Sequence, residues 1–100
     1  MANHLNLKDI QNRILSDFGD KSTEVNSIFN EAITKTEYLN HPRIIRSILF
    51  LANGNIESLN RTIDVAIFDP RDVMVQAEYE GWENMFKKTP KRMRDFNQPF

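Results

Sequence analysis

The sequence predicts an all-α fold, a compact bundle of about five short antiparallel helices with an irregular C-terminal tail. Three observations carry that prediction. Apolar residues recur at spacings of three and four, the signature of one helix face. Proline and glycine sit where helices start and stop, at Pro42 and Pro70 and at Gly19, Gly54 and Gly81. The links between periodic stretches run to two to four residues, and short links make neighbouring helices antiparallel hairpins.

Taken in order, the first helix is predicted from Asn6, a good N-cap, with Leu7, Ile10, Ile14 and Phe18 on one face and Gly19 as its stop. The second opens near Ser22, with Glu24 in the first turn where the helix dipole favours an anion. Its stripe of Val25, Ile28, Phe29, Ala32, Ile33 and Thr36 runs on to Leu39, about 17 residues or ~25 Å. The third begins at Pro42, after Asn40-His41, and is apolar all round beyond Ser47. Such a helix belongs at the centre of a bundle. Asn53-Gly54-Asn55 is a tight turn in which Gly54 ends the third helix and Asn55 caps the fourth. Ile56, Leu59, Ile63, Ala66 and Ile67 form the fourth helix's face. Asp69-Pro70-Arg71-Asp72 starts the fifth, which carries Val73, Met74, Ala77 and Glu78 and stops at Gly81. Trp82, Met85 and Phe86 keep helical spacing, so that helix can resume until Thr89-Pro90.

One hundred residues is one domain, read as a bundle over 1–86 and a basic, aromatic tail over 87–100 packed on it. The tail holds Lys87, Lys88, Lys91, Arg92 and Arg94 against Asp95, a net +4, which leaves −5 on residues 1–86 for the total of −1. No cysteine is present, so disulfides and thiolate metal sites are excluded, and a reducing compartment fits. Met1 to Asp9 lacks the apolar run of a secretory signal. The longest apolar run, Ile44 to Ala52, is broken by Arg46 and Ser47 and falls far short of the ~20 residues of a membrane span. A cytoplasmic protein without membrane contact is the expectation.

The stretches His41-Pro42-Arg43-Ile44-Ile45-Arg46, Leu51-Ala52-Asn53-Gly54-Asn55-Ile56-Glu57, Asp69-Pro70-Arg71-Asp72-Val73 and Ala77-Glu78-Tyr79 resemble a group of small bacterial proteins of unknown function. Arg94-Asp95-Phe96 belongs to the same pattern. The resemblance covers about half the chain. It implies a bacterial origin and brings no activity with it.

Two groups of residues are candidates for interaction chemistry. In the tail, Trp82, Phe86 and Phe96, with Met93 and Phe100, alternate with Lys87, Lys88, Lys91, Arg92 and Arg94. Large apolar side chains cost roughly 1.5–3 kcal/mol each to leave in water, so the first reading is that they cover an open edge of the bundle. A protein interface is the second. Single-stranded nucleic acid, with phosphates on cations and bases on rings, is the third, and the acidic body argues against it. The other group is Arg43, Arg46 and Arg71, near the N-termini of the third and fifth helices, where free N–H groups and guanidinium suit an anion or an acidic partner. The structural alternative is pairing with Asp72, Glu78 or Asp64, or with Asp95 if the tail docks.

Glu37 and His41 stand four apart only once, and a di-metal bundle site needs about six ligands, so neither metal nor cofactor is expected. Neither histidine has a nucleophile context and each glycine is a helix stop, so no enzyme is expected. The function that remains is a small protein–protein interaction or regulatory domain, with self-association as one form of it. A nucleic-acid-binding accessory protein using the tail and a small anionic-ligand binder are the alternatives.

Overall fold

The last three helices begin where a side chain and, in two of them, a proline relieve the first N–H groups. In a computed structural model, which describes residues 3–80, 91–92 and 95–100, α1 spans Lys8–Phe18, α2 Ser22–Lys35, α3 Pro42–Ala52, α4 Ile56–Phe68 and α5 Pro70–Glu78. Pro42 and Pro70 both occupy the first helical turn. Asn55 accepts the Ser58 N–H at 2.9 Å and Asp69 accepts the Arg71 N–H at 3.0 Å, as N-cap oxygens do. At α3 that role falls to a histidine: His41 Nδ1 accepts the Arg43 N–H at 3.2 Å.

The chain is an all-α bundle with α3 at its centre, packed against α1, α4 and α5. Ile44, Ile45, Ile48, Leu49 and Ala52 of α3 are buried together with Ile10, Ile14 and Phe18 of α1 and with Val25, Phe29 and Ala32 of α2. Leu59, Ile63 and Ala66 of α4 and Val73 of α5 complete this core. A core helix presents apolar side chains all round because neighbours surround it.

Four local expectations are corrected. Asn6 does not cap α1: it ends a 3-10 turn, His4–Asn6, whose own cap is Asn3. That turn buries Leu5 beneath the bundle. Second, α2 is shorter than its apolar stripe, because Thr36 leaves the helical region (φ −137°, ψ 85°) and Glu37–Leu39 tightens into a 3-10 turn. The break turns Leu39 into the core and lets the Tyr38 hydroxyl donate to the Ile67 carbonyl. Third, the turn after α3 becomes left-handed at Asn53, one residue before Gly54. Fourth, α5 ends at Glu78 and not at Gly81. Tyr79 is extended, and Tyr79–Glu80 pairs antiparallel with Lys91–Arg92. Resumption of a helix after Gly81 lies outside the described residues.

Gly54 is required twice over. Its φ of +76° disfavours a side chain, and a Cβ there would stand 2.9 Å from the Asp17 carbonyl oxygen at the end of α1. Gly54→Ala is therefore expected to lower unfolding stability by roughly 1–3 kcal/mol, read as a fall in the urea midpoint with an unchanged m-value.

Candidate functional site

Arg43 and Arg46 lie three residues apart on α3 and therefore share one side of it. Each reaches a different neighbour. Arg43 forks onto Glu78 at the end of α5, with Nε to Oε2 at 2.8 Å and Nη2 to Oε1 at 2.5 Å. Arg46 forks onto Asp9 in the first turn of α1, with Nε to Oδ2 at 2.9 Å and Nη2 to Oδ1 at 3.1 Å. Its remaining nitrogen, Nη1, donates to the carbonyls of Phe96 and Asn97 at 2.9 and 3.1 Å. Glu78 Oε2 in turn accepts the Phe96 N–H at 3.1 Å.

One charge of each pair is buried, while Arg43 and Asp9 remain partly exposed. Glu78 is 0% exposed and Arg46 4%. Removing such charges from water costs several kcal/mol each, repaid only when every donor and acceptor finds a partner. Among the described residues no buried side-chain nitrogen or oxygen lacks one. The segment 95–100 completes the set. The Phe96 ring is buried, with centroids 5.3 Å from Phe50 and 5.9 Å from Phe100. The Phe100 N–H donates to Asp9 at 3.3 Å, and Arg13, itself paired with Asp17 at 2.7 Å, lies 4.6 Å over the Phe100 ring. Arg43, Arg46, Glu78 and Phe96 thus meet at one place.

Arg71 is elsewhere. It starts α5 whereas Glu78 ends it, ~10 Å along the axis. Its guanidinium is largely exposed and holds Asp69 at 3.2 Å, a surface pair that contributes little. The three arginines are divided between two places, and each already holds a carboxylate. Of the tail, Phe96 belongs to the core and the backbones of Lys91 and Arg92 to the strand pair. Trp82, Phe86, Lys87, Lys88 and Arg94, like the side chains of Lys91 and Arg92, lie outside the described residues.

A second surface escaped the sequence reading. Phe68, the last residue of α4, is 90% exposed. With Tyr38, Asp69, Pro70 and Arg71 it lines a shallow hollow of about 450 Å³. Leu59, Ile63 and Ala66 form the buried face of α4; Phe68, two residues past Ala66, projects off that face. Ile67, expected on the face, is exposed beside it. The legible signal was an aromatic out of helical phase immediately before a capping Asp-Pro.

Among the described residues no three His, Asp or Glu side chains are grouped to hold a metal, and no helix is long and apolar enough to cross a membrane. No protein family matches the sequence, and no curated protein and no solved structure is similar to it.

Two titrations follow from this geometry. The Arg46 hydrogen bonds hold the Asp9 carboxyl below its ordinary range against the opposing effect of burial, helped by the Phe100 N–H. His41 is lowered by burial and by the charges of His4 and Arg43. A depressed folded pKa means that the unfolded chain binds more protons, so stability rises with pH. The His41 contribution is full above its unfolded value of about 6.5 and is lost as pH falls through the lower folded value. His41→Asn, which replaces the capping ring nitrogen with an amide oxygen acceptor, is expected to flatten the unfolding midpoint between pH 7 and pH 5. Arg43→Met, which takes the guanidinium from a buried carboxylate, is expected to cost about 3–5 kcal/mol. Arg43→Met with Glu78→Met should recover most of that loss in a double-mutant cycle.

Proposed function

We propose that this chain is a small cytoplasmic protein–protein interaction module of bacterial type that self-associates through the corner formed by Tyr38, Ile67, Phe68, Pro70 and Arg71. The observation that carries the reading is the exposure of Phe68 at a well-anchored helix end. A phenylalanine ring held out in water forgoes the burial that large aromatics supply. Apolar surface of this kind, rimmed by charge, is typical of interaction sites.

The composition of the corner supports the reading. Aromatic and arginine side chains dominate interface energetics, and here Phe68, Tyr38 and Arg71 line one hollow. The anchoring limits the ordering cost of association: Asp69 caps α5 directly after Phe68, and Tyr38 is bonded to Ile67. Absence of cysteine suits a reducing cytoplasm, and the bacterial type rests on the resemblance described for residues 41–46, 51–57, 69–73, 77–79 and 94–96. A small-anion site at Arg43 and Arg46 finds less support, since both guanidinium groups are committed to carboxylates and one also to backbone carbonyls.

Sedimentation of the full chain over a hundredfold concentration range tests this. Weight-average mass is expected to rise with concentration for the parent and to stay at the monomer value for Phe68→Glu, with unfolding stability changed by no more than about 0.5 kcal/mol, as for an exposed position. A parent chain that is monomeric throughout overturns self-association through this corner.

A further inference from the structure

The segment 95–100 is held as a ligand is held. The bundle recognises it mainly through its backbone: Glu78 takes the Phe96 N–H, Arg46 takes the carbonyls of Phe96 and Asn97, and Asp9 takes the Phe100 N–H. These receptor groups come from three different helices, α5, α3 and α1. One aromatic anchor, Phe96, is 2% exposed against Phe50. The segment also shapes itself. The Asp95 carboxylate accepts the Asn97 N–H at 3.0 Å and the Asp95 carbonyl accepts the Gln98 N–H at 3.0 Å, a side-chain-supported turn that needs no help from the rest of the chain.

A preformed turn, a single buried aromatic and backbone capture by fixed side chains are the parts of a peptide-recognition site. None of the receptor contacts requires that the peptide belong to the same chain. We propose that the cleft between α1, α3 and α5 is a binding site for a turn-forming Asp-Phe-Asn peptide. Residues 95–97 fill it in cis, and the same segment of a second copy fills it in trans. The cis occupant has the advantage of high effective concentration, so exchange in trans appears when that occupant is weakened or the second copy is abundant. This site is separate from the Phe68 corner, and neither proposal depends on the other.

The test uses the full chain with Phe96→Ala, which weakens the cis occupant, and a fluorescein-labelled hexapeptide with the sequence of residues 95–100. The control hexapeptide has alanine in place of its first phenylalanine. Fluorescence anisotropy is expected to show saturable binding to the variant, about tenfold or more tighter than binding of the control and tighter than binding to the parent chain, whose site is occupied. A variant that circular dichroism finds unfolded is titrated with the same peptides, and the parent peptide alone is expected to restore helicity. Independently, an excess of unlabelled peptide added to the 15N-labelled parent chain is expected to displace residues 95–100 and move the Phe96 and Asn97 amide signals to random-coil positions. The proposal is overturned if the variant, folded or not, responds equally to both peptides, or if millimolar peptide leaves those amide signals in place.

Discussion

Two buried charges, Glu78 and Arg46, set the terms for everything at the open edge of this bundle. A carboxylate with no exposure and a guanidinium almost as deeply placed are tolerable only where each oxygen and N–H is bonded. The helices alone do not achieve this. Arg43 and Asp9 neutralise the two charges, but Arg46 Nη1 and one lone pair of Glu78 Oε2 are satisfied by the backbone of residues 96 and 97. Docking of that segment and burial of the charges are therefore one event, and Phe96 adds apolar burial to it.

The same constraint accounts for where α5 stops. Glu78 must present its carboxylate to Arg43 and to the incoming Phe96 N–H, and the chain turns extended at Tyr79 to pair with Lys91 and Arg92. It also explains why the apolar helix α3 carries two arginines near its start. Arg43 and Arg46 occupy the side of α3 that faces the end of α5 and the start of α1. There a purely apolar residue would have left Glu78 and Asp9 without cations. Replacing such networks by apolar residues is often neutral for stability; here the charges also hold the backbone of the 95–100 segment in place.

The other end of α5 has a different logic. At the α4–α5 junction the polar groups are local: Asp69 serves the Arg71 N–H and its guanidinium, and Tyr38 reaches the Ile67 carbonyl. These bonds hold the backbone while leaving Phe68 in water. A rigid scaffold under an exposed aromatic costs little entropy on association. The molecule thus combines a satisfied, buried clasp with an exposed aromatic corner.

The α-helical class, the central position of α3, the Pro42 and Pro70 starts and the Asn55 and Asp69 caps were legible in the sequence because they depend on residues within one or two turns of each other. The spacing of Arg43 and Arg46 was legible for the same reason, and Glu78 stood among the possible partners. The partner of Arg46 was not, because Asp9 lies 37 residues away and the Phe96 carbonyl 50, and no local pattern encodes such a pairing. The exposure of Ile67 and Phe68 was not legible for a related reason: helical phase predicts a face, but which neighbour covers each turn of that face depends on packing. Local periodicity and capping thus determined the elements by themselves, and tertiary structure alone decided which charges were buried, what satisfied them and which aromatic remained outside, since those outcomes depend on desolvation among segments distant in the chain.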